Sequence, residues 1–393
     1  MNFNILSKPA IIFGENKIYT LPDELNNRNL KRAMLVVTPH FVNNGLAANL
    51  QGKLKEAGID TDKHYPYVVY SNLIQDAPDF TVNNGAQIAR DFKADTIVAI
   101  GGGKAMDTAK GINIIVNNPG KTIADYLDHS TLPSRNPGAF LILCPTTTGT
   151  GSEMTFASVI HFMDTDRKLS VGDGTAFANL AIVDPVLTVE LPKDVTAYTG
   201  LDALTHCVGC LTSIYNVNPL SEALARDGIG IIMENLPKVV ANPSDLEARN
   251  MMCYASMTAG MAFIDQICNI DHALSESMGA VAGTPHGVAC GAALAPSIRF
   301  LCEAAPEKVR KVADAMGVDV SNQNPVEAGE TVANALAAFV KSVGCPSMKE
   351  LNYTEEQLEC ISELTPQAVG SLLSPRHVTK EEVLALLHDA MQR

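Results

Sequence analysis

The residue pattern of this 393-residue chain changes near position 185, and that change limits the folds it can adopt. Before it, short β-branched apolar runs alternate with segments of helical spacing. After it, long segments of helical spacing follow one another without strand-like runs. Strands that alternate with helices predict a parallel sheet covered on both faces, and the chain is longer than one hydrophobic core usually organises. We therefore expect an α/β domain over residues 1–188 and an all-α domain over residues 189–393.

The individual elements are predicted from apolar runs and their spacing. In the first part of the chain the predicted strands, helices and hairpin cover, in order, 33–37, 46–57, 65–70, 82–92, 96–100, 139–144 and 159–172. In the second part the longest predicted helices cover 220–236, 246–263, 326–343 and 380–391.

Three consecutive glycines, Gly101, Gly102 and Gly103, directly follow the predicted strand at 96–100. Glycine allows a sharp turn and a close approach of the backbone to a ligand. The helix-compatible residues that follow would place free N–H groups opposite a phosphate. Met106 stands where a G-x-G-x-x-G fingerprint would have its third glycine, and a plain tight turn is the alternative interpretation.

A loop rich in threonine and glycine follows the apolar run at 139–144, and it contains Thr146, Thr147 and Thr150. Hydroxyl groups among glycines can wrap a nucleotide, or they can cap the next helix. Ligands of parallel α/β sheets bind beyond the carboxyl ends of the strands. Both this loop and the glycine turn are expected at that edge, which favours a dinucleotide-binding site there.

Four potential metal ligands stand out in the second half: Asp202, His206, His272 and His286. The first two are four residues apart, which puts them on one side of a helix. Between the other two, the sequence Gly-Thr-Pro at 283–285 breaks the helical pattern and can fold the last histidine back toward its predecessor. One carboxylate and three imidazoles suit Fe²⁺ or Zn²⁺. Buried, hydrogen-bonded core histidines are the alternative.

In this combination and order, the motifs resemble those of the iron-containing (group III) alcohol dehydrogenases over nearly the whole chain. The motifs that carry the resemblance are KPAIIFG at 8–14, the glycine turn at 101–103, the threonine loop at 146–150, IVDP at 182–185 and PHG at 285–287. The resemblance implies a dehydroquinate synthase-like fold, with an N-terminal nucleotide-binding domain and a helical metal-binding domain. It also implies at least a homodimer.

The resemblance assigns roles to individual positions. It implies that Asp202, His206, His272 and His286 are the metal ligands, with Fe²⁺ the first choice and Zn²⁺ the second. The positions it matches to contacts with NAD or NADP are Gly101, Gly102, Gly103, Asp107, Thr146, Thr147 and Thr150.

Several positions depart from the usual pattern of the family, among them Glu276, Pro39, Lys104, Asp76 and Gly209. Relatives commonly have a second histidine four residues after the third ligand, where this chain has Glu276. We expect Glu276 to relay a proton; the alternatives are an added metal ligand, selection of a more polar substrate, or a solvated charge on the helix. Many relatives end the second nucleotide-fold strand with an aspartate that favours NAD, whereas here Thr38 is followed by Pro39, which leaves NADP open. Gly209 replaces a glutamate that often follows the second ligand.

Composition narrows the classes of partner. A net charge of -14 argues against nucleic acid and anionic membranes. The weakly charged stretch at 278–298 contains glycine, proline and histidine, so it does not predict a membrane span. The N-terminus does not resemble a signal peptide, and nine scattered cysteines fit reduced thiols in the cytoplasm.

The predicted activity is a metal-dependent hydride transfer between NAD(P) and a small alcohol or aldehyde. One alternative has the same fold: a glycerol-dehydrogenase-like or other polyol- or oxoacid-reducing enzyme. The other alternative is a non-catalytic, metal-binding relative. The glycine turn and the PHG motif favour the alcohol dehydrogenase branch, and the four potential ligands argue against lost function.

Overall fold

The computed structural model describes residues 3–6, 9–61, 67–68, 77–127, 136–165 and 167–393. The chain forms two compact units. The α/β unit comprises Leu6–Thr147 and Gly151–Thr188, and the helical unit comprises Met1–Ile5, Thr148–Thr150 and Val189–Arg393.

The centre of the α/β unit is a parallel sheet of seven strands among the described residues, in the order β1-β9-β6-β5-β2-β3, with β4 also paired to β2. A separate antiparallel hairpin is formed by β7 and β8. The strands are β1 (Ala10–Phe13), β2 (Arg32–Val37), β3 (Asp60–Thr61), β4 (Tyr67–Val68), β5 (Thr96–Gly101), β6 (Phe140–Pro145), β7 (Ser158–Phe162), β8 (Arg167–Val171) and β9 (Leu180–Val183).

Helices cover this sheet and bury its apolar side chains. The β5 strand is buried along its whole length, as its β-branched run predicts. Separate apolar clusters occupy the two faces: Met34 and Ile97 belong to one, whereas Leu35 and Val98 belong to the other. The helices of this unit are α1 (Leu21–Asn27), α2 (Pro39–Asn43), α3 (Leu46–Glu56), α4 (Asp79–Phe92) and α5 (Gly103–Ile115).

The order of the strands creates a switch point beside β2. From β2 the chain passes to β3 and β4 on one side, and then returns to β5 on the other. The register pairs Val37 with Ile100, so β2 and β5 end side by side, and Gly101 pairs with Pro145 at the end of β6. Ligands of such sheets bind at this point. The glycine turn and the threonine loop both begin there.

The helical unit is built around α6, whose residues from Gly200 to Thr212 are all buried. Its main apolar cluster joins α6, α7, α8, α10, α11 and α12. The helices are α6 (Lys193–Thr212), α7 (Pro219–Ala241), α8 (Leu246–Gln266), α9 (Ile270–Ala282), α10 (His286–Leu301), α11 (Pro306–Met316), α12 (Pro325–Ser342), α13 (Met348–Leu351), α14 (Glu355–Leu364), α15 (Val369–Leu372) and α16 (Lys380–Gln392).

The predicted fold class is confirmed, with a parallel α/β part followed by a helical part. The hairpin predicted at 159–172 matches β7 and β8. The strand predicted at 65–70 falls mostly outside the described residues, which include only its central pair, β4. The stretch at 278–298 belongs to α9 and α10, which are separate helices. Within the described part of the chain, no helix is both long and apolar enough to cross a bilayer.

Candidate active site

Three helices of the helical unit bring the four potential metal ligands together. Asp202 and His206 lie one turn apart on α6, and His272 lies in the first turn of α9. His286 is the first residue of α10. The carboxylate Oδ1 of Asp202 lies 3.8 Å from Nε2 of His206, 3.6 Å from Nε2 of His272 and 3.5 Å from Nε2 of His286. The ring nitrogens therefore converge on one carboxylate oxygen.

A break between α9 and α10 brings His286 into this group. The α9 helix ends with Gly283 in the left-handed conformation, at φ 65°, which glycine adopts without steric cost. Pro285 then precedes the first residue of α10. The ring centroids of His272 and His286 lie 5.7 Å apart as a result. The Gly-Thr-Pro sequence thus reverses the chain, as the sequence pattern indicates.

The spacing and burial of these atoms suit a divalent cation. Bonds of about 2.1 Å at a tetrahedral centre place neighbouring nitrogen and oxygen donors about 3.4 Å apart, close to the separations observed here. Nε2 of His272 is buried and has no hydrogen-bond partner among the described residues. A buried polar atom without a partner costs free energy, and coordination of a cation would remove that cost. The donor set and its geometry therefore fit a metal.

Electrostatics keep Asp202 and His206 in the protonation states that a metal requires. Burial works against ionisation of Asp202, yet His206, His272 and His286 hold the pKa of its carboxyl well below the usual value. Burial lowers the pKa of His206 to about 3, so its imidazole is neutral at physiological pH. Phe263 stacks on the His206 ring, with centroids 4.1 Å apart and planes 8° from parallel.

Although burial favours the neutral imidazole, Cys268, Cys290 and Asp202 raise the pKa of His272 well above its usual value. Cys290 and Asp202 do the same for His286, so a metal would displace a proton from each of these two rings. The side chain of His286 is 48% exposed, so the group opens to solvent at that residue.

The carboxylate of Asp271 positions the His272 ring. Its Oδ1 lies 3.3 Å from Nδ1 of His272 and accepts a hydrogen bond from the His272 backbone N–H at 2.7 Å. An ionised carboxylate only accepts hydrogen bonds, so Nδ1 carries a proton, and Nε2 faces Oδ1 of Asp202 at 3.6 Å. A Cβ atom at Gly209 would lie 2.8 Å from Oδ2 of Asp271. The glycine that replaces the usual glutamate on α6 therefore makes room for a carboxylate from α9.

We expect Asp271→Asn to weaken metal binding by about 10- to 100-fold, because partners of ligating histidines fix the tautomer and orientation of the ring. The amide keeps an acceptor for the backbone N–H, so the thermal midpoint of the metal-free protein should change little. Metal affinity is measured by competition with a chelator. Asp314→Asn, which alters an exposed carboxylate paired with Arg226, is the control. Equal affinities in the two variants would contradict the positioning role.

Glu276 lies one turn after His272 on α9, and its side chain is exposed whereas that of His272 is buried. Residues four apart lie on the same side of a helix. The exposed position gives the carboxylate contact with solvent, which a proton relay requires.

The glycine turn of the α/β unit is crowded by its neighbours. A Cβ atom at Gly101 would lie 2.5 Å from both Cγ2 of Thr38 and Cβ of Ala105. At Gly102 it would lie 3.1 Å from Cγ2 of Thr147. Gly103 then begins α5, whose first N–H groups lack partners within the helix. The close packing explains Gly101 and Gly102, and the start of α5 suits a phosphate.

The other predicted nucleotide contacts lie near the same strand ends, with one difference. Pro39 is the first residue of α2, directly after β2. The backbone N–H of Thr146 donates to the carbonyl of Gly101 at 3.0 Å, and Oγ1 of Thr147 is buried without a partner among the described residues. Thr150 instead belongs to the helical unit, together with Thr148 and Gly149.

Asp107 on α5 is engaged by side chains of its own unit. Its carboxylate accepts hydrogen bonds from Oγ of Ser152 at 2.9 Å and from the backbone N–H of Val159 at 3.2 Å. The ammonium of Lys110, fully buried, lies 3.6 Å away and donates to Oγ of Ser152 at 2.6 Å. Burial lowers the pKa of Lys110 to about 8 and raises that of Glu153 to about 7. This polar cluster holds the loop at 151–155 against α5.

Comparison with known families decides the affiliation of the chain. The model described as "Iron-containing alcohol dehydrogenase" matches residues 8–185, and the model described as "Fe-containing alcohol dehydrogenase family, C-terminal" matches residues 196–391. The chain belongs to the iron-containing alcohol dehydrogenase family. It is accordingly an oxidoreductase of the NAD(P)-dependent, iron-type alcohol dehydrogenase class, with a divalent metal and a nicotinamide nucleotide as cofactors.

Individual members of this family are similar over their full lengths. The NAD-dependent methanol dehydrogenase of Bacillus methanolicus is 30% identical over 99% of this chain and 100% of its own. The NADPH-dependent butanol dehydrogenase of Clostridium saccharobutylicum is 32% identical over 95% of this chain and 94% of its own. The solved structure of an alcohol dehydrogenase from Oenococcus oeni superposes with a TM-score of 0.90, at 29% identity over 99% of this chain and 100% of that one. Relatives that use either nucleotide are thus similar to this chain.

Several residues that shape the site escape analysis of the sequence. Cys290 and Cys268 lie within 4.8 Å of potential ligands, and Asp271 contacts His272 directly. The only sequence signal for Cys290 is its position four residues after His286, one helical turn along α10. Aspartate and cysteine residues on buried helices are common for purely structural reasons. Their positions in the sequence therefore do not identify Asp271, Cys268 or Cys290 as part of the site.

Proposed function

We propose that Asp202, His206, His272 and His286 hold a divalent metal, with Fe²⁺ the first choice and Zn²⁺ the second. The observation that carries the proposal is the convergence of three imidazole nitrogens on Oδ1 of Asp202, at separations of 3.5–3.8 Å. Oxygen and nitrogen donors accept both metals. The exposed side of His286 leaves access for a substrate oxygen.

We propose that NAD or NADP binds at the carboxyl ends of β2, β5 and β6. The crowded glycine turn, the start of α5 and the hydroxyl of Thr147 support a phosphate or ribose contact there. Pro39 stands at the end of β2, so no carboxylate directly follows the strand to repel a 2′-phosphate. We therefore expect both nucleotides to be accepted.

The reaction we propose interconverts a small alcohol and its aldehyde. When bound, the metal supplies a Lewis acid and the nicotinamide supplies or accepts the hydride. The residues of the chain orient these groups: Asp271 sets the His272 ring, and the donor group fixes where a substrate oxygen can sit. Glu276 exchanges the hydroxyl proton with solvent.

The proposal is tested by an anaerobic assay of protein reconstituted with Fe²⁺. Consumption of NADH and of NADPH is followed against a panel of short aldehydes, with chelated protein in parallel. We expect turnover that depends on the metal. Bound metal and bound nucleotide without turnover of any aldehyde would point to a different substrate class on the same fold.

Replacement of Glu276 by glutamine tests the relay. Because a positioned acid or base contributes about 10²- to 10⁴-fold, we expect Glu276→Gln to lower kcat by about a hundredfold, with little change in metal content. The pH dependence of kcat is compared with that of Glu359→Gln, a control at an exposed glutamate of α14. Full turnover of Glu276→Gln at every pH would remove the role.

We also propose that the protein acts in the cytoplasm as a homodimer or a higher homo-oligomer, with no nucleic acid or membrane as partner. All nine cysteines are free thiols, which supports a reducing compartment. The assembly follows from the family resemblance alone, and light scattering on a gel-filtration column measures it.

A further inference from the structure

We propose that Cys290 is an additional, thiolate ligand of the metal. The inference rests on the ligand set proposed above and extends it by one residue. Cys290 lies one turn after His286 on α10 and is completely buried. Of the nine cysteines, it is the one grouped with Asp202, His272 and His286 as a potential donor.

The sulfur points at the same atom as the imidazoles. Sγ of Cys290 lies 3.6 Å from Oδ1 of Asp202 and 3.6 Å from Nε2 of His286. Metal bonds of about 2.3 Å to sulfur and 2.1 Å to nitrogen or oxygen would separate neighbouring donors by about 3.1 to 3.8 Å at the angles of about 90° to 120° of a five-coordinate centre. The thiol therefore stands at the distance expected of a ligand from two of the other donors. Cys268, the other nearby thiol, is grouped with His206 and His272 instead.

Coordination would ionise this thiol, because the thiolate and not the thiol is the metal ligand. The S–H bond of Cys290 breaks, its proton passes to solvent and its sulfur bonds to the cation. No electron is transferred in this step.

The alternative is that Cys290 keeps its proton and donates a weak hydrogen bond to Asp202. The two states differ in the metals they favour. A thiolate ligand favours Zn²⁺ and Co²⁺. A site with only oxygen and nitrogen ligands accepts Fe²⁺ as well as Zn²⁺. We therefore expect this chain to retain Zn²⁺ more tightly than the four-ligand set alone would.

The test is the absorption spectrum of the full-length protein loaded with Co²⁺. A thiolate ligand gives a sulfur-to-cobalt charge-transfer band in the near ultraviolet, whereas oxygen and nitrogen ligands give only the visible ligand-field bands. We expect the wild type to show both kinds of band. In Cys290→Ser the visible bands should persist and the charge-transfer band should disappear, and Zn²⁺ affinity should fall by at least about a hundredfold, since even outer partners contribute 10- to 100-fold.

Two controls separate the possible failures. Cys360→Ser replaces an exposed thiol and should keep the charge-transfer band. Cys268→Ser should keep it as well; loss of the band in that variant alone would assign the ligand to Cys268 and overturn the proposal. Visible bands without any charge-transfer band in the wild type would overturn the role of Cys290 and leave the four-ligand set intact. Failure of the wild type to bind Co²⁺ at all would overturn both. If Cys290→Ser does not fold, Cys290→Ala serves in its place.

Discussion

His272→Ala is expected to abolish both metal retention and metal-dependent turnover. Nε2 of His272 is buried, lacks a hydrogen-bond partner among the described residues and faces Oδ1 of Asp202 at 3.6 Å. Lewis-acid stabilisation is worth several kcal/mol, so its loss lowers kcat/KM by about a thousandfold or more. Metal content by mass spectrometry and turnover under anaerobic conditions measure the two effects.

The matched control for this variant is His388→Ala. That imidazole is exposed on α16, where its Nε2 lies 2.9 Å from a carboxylate oxygen of Glu355. Its removal should leave metal content and turnover unchanged. Normal metal content in His272→Ala would show that the metal does not depend on His272 and would contradict its role as a ligand.

Gly287→Ala is expected to unfold or displace the start of α10. A Cβ atom at this position would overlap the backbone carbonyl oxygen of Tyr198 on α6. Backbone atoms cannot yield as a flexible side chain does, so the cost should reach or exceed the upper end of the range for overpacking, about 3 kcal/mol. Because Gly287 directly follows His286, the shift would also withdraw that donor from Asp202. Urea unfolding and metal affinity report the two consequences.

Gly230→Ala provides the comparison for that variant. Gly230 lies within α7 on the surface of the same unit. A Cβ atom there would lie 3.8 Å from the carbonyl oxygen of Ala315, which is ordinary van der Waals contact. Alanine in a helix interior is favoured over glycine by about 1 kcal/mol, so stability should be kept or rise. A Gly287→Ala protein as stable as this control, with normal metal affinity, would contradict the packing argument for the PHG motif.

The fold was largely predictable because its signals are local in the sequence. The buried run of β5, the glycine turn after it and the Gly283–Pro285 break each specify backbone geometry within a few residues. The α/β part and the helical part follow from these patterns. The approach of His286 to His272 was also foreseeable, since only a chain reversal separates two helices that are consecutive in sequence.

The contacts around the ligands were not predictable in the same way. The carboxylate of Asp271 on α9 packs against Gly209 on α6, and this contact depends on where the two helices cross. The approach of Cys290 to Asp202 joins α10 to α6 for the same reason. Such contacts are set by tertiary packing, and neither residue has a periodic or compositional signal of its own.

We expect this chain to transfer hydride between a nicotinamide and the carbonyl carbon of a small aldehyde. The most direct test uses the Fe²⁺-loaded protein with NADH, or NADPH, in which deuterium replaces both hydrogens at C4 of the nicotinamide. We expect the alcohol product to contain one deuterium at the former carbonyl carbon, detected by mass spectrometry. Protein treated with a chelator should form no alcohol. Product without deuterium on that carbon, or no product from protein shown to hold both metal and nucleotide, would contradict the account.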